Sequence, residues 1–195
     1  MINKNMKKYL ESKSENEKIA ALSVEKAYLL ENGLAAEEGI VIVSFSEKLG
    51  EFYMELANKE SDETVKEGLS ASFLEEKISL LKTNLDEYLY VETDLFDMIQ
   101  VDGLTLEVDS VFRKYDGLFG FRAPKKQEQV IRSYFSEKLG SETPYSLMFN
   151  NQDGLWDVNL PIEYMEGFTE ELSVAAALEL FYSFMFALGS LLDEK

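Results

Sequence analysis

The sequence predicts an α+β domain with a helical N-terminal part, a small antiparallel sheet that includes a hairpin near residues 145–161, and a long apolar C-terminal helix. Three observations carry this reading. Apolar residues recur at helical spacing before residue 87, strand-like runs of aromatic and β-branched residues begin at Tyr88, and only Glu179 is charged between Ser173 and Leu192. A length of 195 residues fits one domain, with 1–86 and 87–195 as candidate helical and mixed parts.

Met6, Tyr9, Leu10, Ile19, Leu22, Ala27 and Leu30 fall at roughly helical intervals, and Asn32-Gly33 supplies a stop. Ile40 to Val43 is β-branched and strand-like. Phe45, Leu49, Phe52, Tyr53 and Leu56 then occupy i, i+4, i+7, i+8 and i+11, which predicts a helix over 45–56 capped by Ser46. The polar stretch 58–67 is the best internal boundary, and Phe73, Leu74, Ile78, Leu81 and Leu85 predict a further helix.

Tyr88–Val91 and Leu104–Val108 read as strands, with turn chemistry at Asp102-Gly103 between them. Pro124 opens a helix that Ile131, Phe135 and Leu139 continue and Gly140 ends. Tyr145–Phe149 and Leu155–Leu160 flank Asn150–Gly154, a loop rich in residues that tolerate positive φ. Phe149 stands where a calcium loop needs its first acid, so the loop reads as a hairpin turn.

Thr169 is placed to cap the last helix. Its length suits a membrane span, but Glu179, Gly189 and acidic flanks favour a core or subunit-contact helix, and no membrane partner is expected. Trp156, Phe181, Phe184, Met185 and Leu188 are the candidate interface residues. The hexapeptide Phe45-Ser46-Glu47-Lys48-Leu49-Gly50 recurs at Phe135–Gly140, which fits either a duplication or two similar amphipathic helices.

Thirty-seven acidic and nineteen basic residues give a net charge of −18, which opposes nucleic acid and anionic bilayers. Histidine and cysteine are both absent. Ser-His-Asp, Cys-His, thiolate-zinc and histidine-metal chemistry are thereby excluded, whereas hydroxyl, lysine and carboxylate chemistry is not. The first residues lack the apolar core of a secretion signal, and a cytoplasmic location is expected.

Arg113, Arg122 and Arg132 cluster in sequence with Lys114, Lys125 and Lys126. Such an island suits an anionic ligand through Arg113, Arg122, Lys125, Lys126 and Arg132; the simpler reading, preferred on sequence grounds, is that it neutralises the chain's own carboxylates. No phosphate-cradling glycine loop is present.

Asp153-Gly154-Leu155-Trp156-Asp157-Val158-Asn159 and Glu166-Gly167-Phe168-Thr169-Glu170-Glu171-Leu172-Ser173 resemble a family of short acidic bacterial proteins sometimes labelled branched-chain aminotransferase-like. Val101-Asp102-Gly103, Leu106–Asp109 and Val111-Phe112 are similar too. That label implies a pyridoxal phosphate lysine, a phosphate cup and a larger fold, none identifiable in these residues, so no catalytic residue and no cofactor is assigned. The strand-turn-strand-helix ending is also similar to secretion-chaperone-type folds. The expectation is a non-enzymatic domain that binds another protein or a second copy of itself; the alternative is a small anionic-ligand-binding protein or modest enzyme built on the basic island.

Overall fold

The computed structural model describes residues 1–14 and 17–194. In chain order the elements are α1 (Ile2–Glu11), β1 (Ile19–Ala21), α2 (Ser23–Glu31), β2 (Ile40–Ile42), α3 (Phe45–Lys48), β3 (Phe52–Asn58), β4 (Thr64–Lys66) and β5 (Glu87–Thr93). There follow α4 (Phe96–Ile99), β6 (Val101–Val108), β7 (Tyr115–Phe121), α5 (Glu128–Leu139), β8 (Ser146–Asn150), β9 (Leu155–Pro161) and α6 (Val174–Asp193). The chain is α+β, as its sequence predicts.

Seven strands form one antiparallel sheet in the order β4-β3-β5-β6-β7-β9-β8, while β1 and β2 form a separate parallel pair. Side chains alternate across a strand, so one face of the sheet is apolar and buried: Leu89 and Val91 on β5, Leu104 and Leu106 on β6, Phe119 and Phe121 on β7, Trp156 and Val158 on β9. Helix α6 runs over this face, and α1 to α5 each pack against α6. Its Phe181 ring meets Phe96 and Phe119 edge-on, with centroids 5.9 and 4.9 Å away.

Among the described residues α6 is the one helix long and apolar enough to cross a bilayer, yet its side chains fill this chain's own core. Phe181, Met185 and Leu188 are fully buried and Trp156 is 1 % exposed, its indole nitrogen donating to the Ala123 carbonyl at 3.1 Å. Phe184 is half-buried against Tyr134 and Phe135. These five side chains, named above as candidate interface residues, thus pack within the protomer. The same apolar character that suggested an interface is consumed inside the protomer.

Other local expectations differ for identifiable reasons. The helix expected over 45–56 stops at Lys48, Gly50 turns the chain at φ +65°, and Phe52 to Leu56 continue as a strand. Phe52, Met54 and Leu56 also have period two, and pairing with β5 decides between the two patterns. The cap is Ser44, whose hydroxyl accepts from Glu47 N at 3.3 Å while the Glu47 carboxylate accepts from Ser44 N at 2.8 Å.

Residues 73–85 form two 3₁₀ turns, Ala71–Glu75 and Ile78–Lys82, instead of one α-helix. Asp102-Gly103 lies within β6, and the β5–β6 connection is made by α4, with Gln100 left-handed at φ +60°. Ser173, not Thr169, caps α6. The hairpin of β8 and β9 falls where the sequence places it.

Candidate functional site

The second face of the sheet is covered by no other element among the described residues. Its composition follows from the register. Glu55, Tyr90, Thr105, Leu118, Asn159 and Ser146 lie side by side across β3, β5, β6, β7, β9 and β8. A neighbouring row runs Tyr88, Glu107, Asp116 and Pro161, and on the other side Gly120 and Asp157 pair beside Met148. No lysine or arginine occurs in β3 or in β5 to β9.

Glycines shape a shallow cleft of about 670 Å³ on this face. A Cβ on Gly103 would come within 2.6 Å of the Tyr90 hydroxyl, and one on Gly120 would collide with the Asp102 carboxylate. Tyr90 and Asp102 therefore lie down over backbone, and Asp102 accepts from Gly103 N and Gly120 N, both at 3.0 Å. Glu92, Asp157, Met148 and Asn159 complete the cleft walls, with Met148 64 % exposed.

The carboxylates of this face are mostly unmatched by cations. Glu55 accepts hydroxyl bonds from Tyr53 at 2.7 Å and Thr64 at 2.9 Å, and Glu107 meets Lys59 at 3.5 Å. Asp116 lies directly opposite Glu107. Burial, then Glu107, Asp109 and Glu163, push the Asp116 carboxyl up to about 6, with Lys59 opposing. Burial and the adjacent Glu92 likewise raise the Tyr90 phenol to about 12.

At the end of the face, the β6–β7 turn carries Val111 and Phe112, each 75 % exposed. The turn is held in shape: the Asp109 carboxylate accepts from Val111 N at 2.9 Å and Phe112 N at 2.5 Å, and Arg113 adopts φ +60°. Phe112 borders a groove of about 240 Å³ shared with Asp116, Asn159 and Pro161, which joins the tip to the acidic face. An exposed aromatic on an ordered turn is a ready anchor for a partner.

The basic island is divided by the fold. Arg113 and Arg122 flank β7 at opposite ends, roughly 30 Å apart for an extended strand. Lys125, Lys126 and Arg132 do share an open groove of about 850 Å³, beside Glu128 and Glu137. Arg132 is engaged there, donating to Glu128 at 2.9 Å and to the Leu147 carbonyl at 3.0 Å, and Glu128 holds its pKa up. The island thus partly serves the chain's own carboxylates and the edge of β8.

A polar cluster that sequence reasoning missed lies beneath the helical layer. Glu25, fully buried, accepts from Leu22 N and from the Tyr182 hydroxyl, each at 2.7 Å, and is paired with Lys48. Lys48 also donates to the Ala20 carbonyl at 3.1 Å and lies over the Tyr9 ring. Burial pulls the Lys48 pKa down while Glu25 opposes it, and burial together with Glu25 raises the Tyr182 phenol well above its ordinary value. The one local signal was Glu25 itself, in the first turn of α2, where its carboxylate accepts from Leu22 N; Tyr182 is far away in sequence.

Comparison with family models, curated proteins and solved structures finds no match. The reading of this site rests on its own chemistry.

Proposed function

We propose that this chain is a protein-binding domain whose open sheet face docks a basic, apolar-anchored segment of another protein. One observation carries this reading: an ordered, uncovered sheet face bears Glu55, Glu92, Asp102, Glu107, Asp116 and Asp157, with no cation of its own in six strands. Tyr53, Tyr90 and Met148 supply contact area there, and Phe112 supplies an anchor at the rim. Complementary charge would set both the rate of encounter and the choice of partner.

A synthetic peptide alternating arginine with leucine tests it by titration calorimetry. Binding is expected to weaken with salt, and to weaken as pH falls through about 6, because protonation of Asp116 removes an attracting charge. Changing Glu92→Gln, Asp102→Asn and Asp157→Asn together is expected to lower affinity about tenfold or more, at some tenths to one kcal/mol per lost pair. The triple change Glu11→Gln, Glu31→Gln and Glu38→Gln alters net charge equally on the helical side and is expected to have a far smaller effect. Equal losses from the two variants would reduce the interaction to bulk charge and overturn the reading.

A further inference from the structure

The charges of the open sheet face stand in lines. Register places Tyr90, Thr105, Leu118, Asn159 and Ser146 in one row from β5 to β8, and none of them is charged. On one side of that row stand Glu92, Asp102 and Asp157, with Asp102 laid over Gly120 in the place of a β7 side chain. On the other side Glu107 and Asp116 lie opposite each other on β6 and β7. Same-face residues of a strand are about 6.8 Å apart, so the two acidic rows run about 14 Å apart with the neutral row midway.

The two acidic rows differ in strength. Lys59 reaches Glu107 at 3.5 Å, and Lys114 reaches Glu163, a neighbour of Asp116, at 3.4 Å, so the chain's own cations offset part of that row. Among the described residues no cation pairs with Glu92, Asp102 or Asp157. The cleft of about 670 Å³ lies between these three and the neutral row, and Met148, 64 % exposed, closes its β8 end.

We infer that the segment docked here is an amphipathic helix lying across the strands, its apolar stripe on the neutral row and basic residues on both flanks, the more basic flank over Glu92, Asp102 and Asp157. This rests on the reading of the face as a docking surface and names the shape of what docks. An extended segment crossing the strands turns alternate side chains away and offers one line of contacts, which matches a single row; one lying along the strands meets each row only once. A helix offers a stripe at i, i+3, i+4 and i+7 with a line on either side, and at about 10–12 Å across it sets long flanking cations over rows about 14 Å apart. Its length is set too, because the four strand spacings from β5 to β8 cover about 19 Å, or about 13 helical residues.

Three synthetic peptides of about 18 residues, long enough to hold a helix, test the assignment by calorimetric titration into the full chain at about pH 8, where Asp116 is ionised. One carries leucine at helical spacing with arginine on both flanks of the stripe. The second has the same composition in alternating order, and the third keeps the stripe with arginine on one flank and glutamine on the other. The two-flank helix is expected to bind about tenfold more tightly than its alternating isomer. Changing Glu92→Gln, Asp102→Asn and Asp157→Asn together is expected to weaken both helical peptides about tenfold, whereas Glu107→Gln with Asp116→Asn weakens the two-flank peptide about threefold more than the one-flank peptide, which turns its arginines to the stronger row. An alternating isomer that binds as tightly as the helix, or an equal effect of the Glu107 and Asp116 changes on the two helical peptides, would overturn the helix and leave the sheet-face reading standing. Binding by none of the three would remove both.

Discussion

Replacing Lys48 with methionine is expected to destabilise the protein by about 3–5 kcal/mol, a fall in Tm of roughly 6–20 °C in a scanning calorimeter. The physical reason is the carboxylate left behind. Glu25 has no solvent exposure, and after the change its charge keeps only the Leu22 amide and the Tyr182 hydroxyl as donors. Adding Glu25→Gln removes the orphaned charge, so the double variant is expected to recover most of the loss. A single variant within 1 kcal/mol of the parent, or a double variant no better than the single, would show that the pair is not coupled as its geometry indicates.

Phe181→Ala is expected to cost a similar amount, about 3–5 kcal/mol, because it empties the contact between α6 and the sheet where Phe96 and Phe119 converge. Phe112→Ala provides the contrast. That ring is 75 % exposed, and its removal is expected to change stability by less than about 0.5 kcal/mol in denaturant unfolding. The pair of measurements separates an aromatic that holds the fold from one that the fold displays. A large loss at Phe112, or a negligible one at Phe181, would reverse those roles.

Which parts of the architecture were legible in the sequence depends on how local their causes are. The β8–β9 hairpin was readable because Asn150 to Gly154 must turn, and its Gly154 has φ +70°. The span of α6 was readable because a long apolar run with a single charge has few other solutions. The segment 45–56 misled because Phe52 and Leu56 fit the helical stripe and, with Met54 between them, also fit period two, and only β5 breaks the tie. The recurring hexapeptide shows what local sequence does encode: in both copies Phe and Leu four residues apart are buried and the glycine has positive φ, at Gly50 and Gly140.

The candidate site was less legible. The lack of cations in β3 and β5 to β9 is written in the sequence, but its meaning depends on register, which sets Glu107 against Asp116 and lays Asp102 on Gly120. The basic residues are close in sequence, but the extended β7 carries Arg113 and Arg122 apart. The aromatic residues near the hairpin and in α6 suggested a contact surface, and most of them were needed for the core.

Backbone amide hydrogen exchange with and without the arginine–leucine peptide tests the central claim most directly. The account predicts slowed exchange confined to β3, β5 to β9 and the turn bearing Val111 and Phe112, with α2, α5 and α6 unchanged. Protection on the helical side, or spread evenly over the acidic surface, would contradict it.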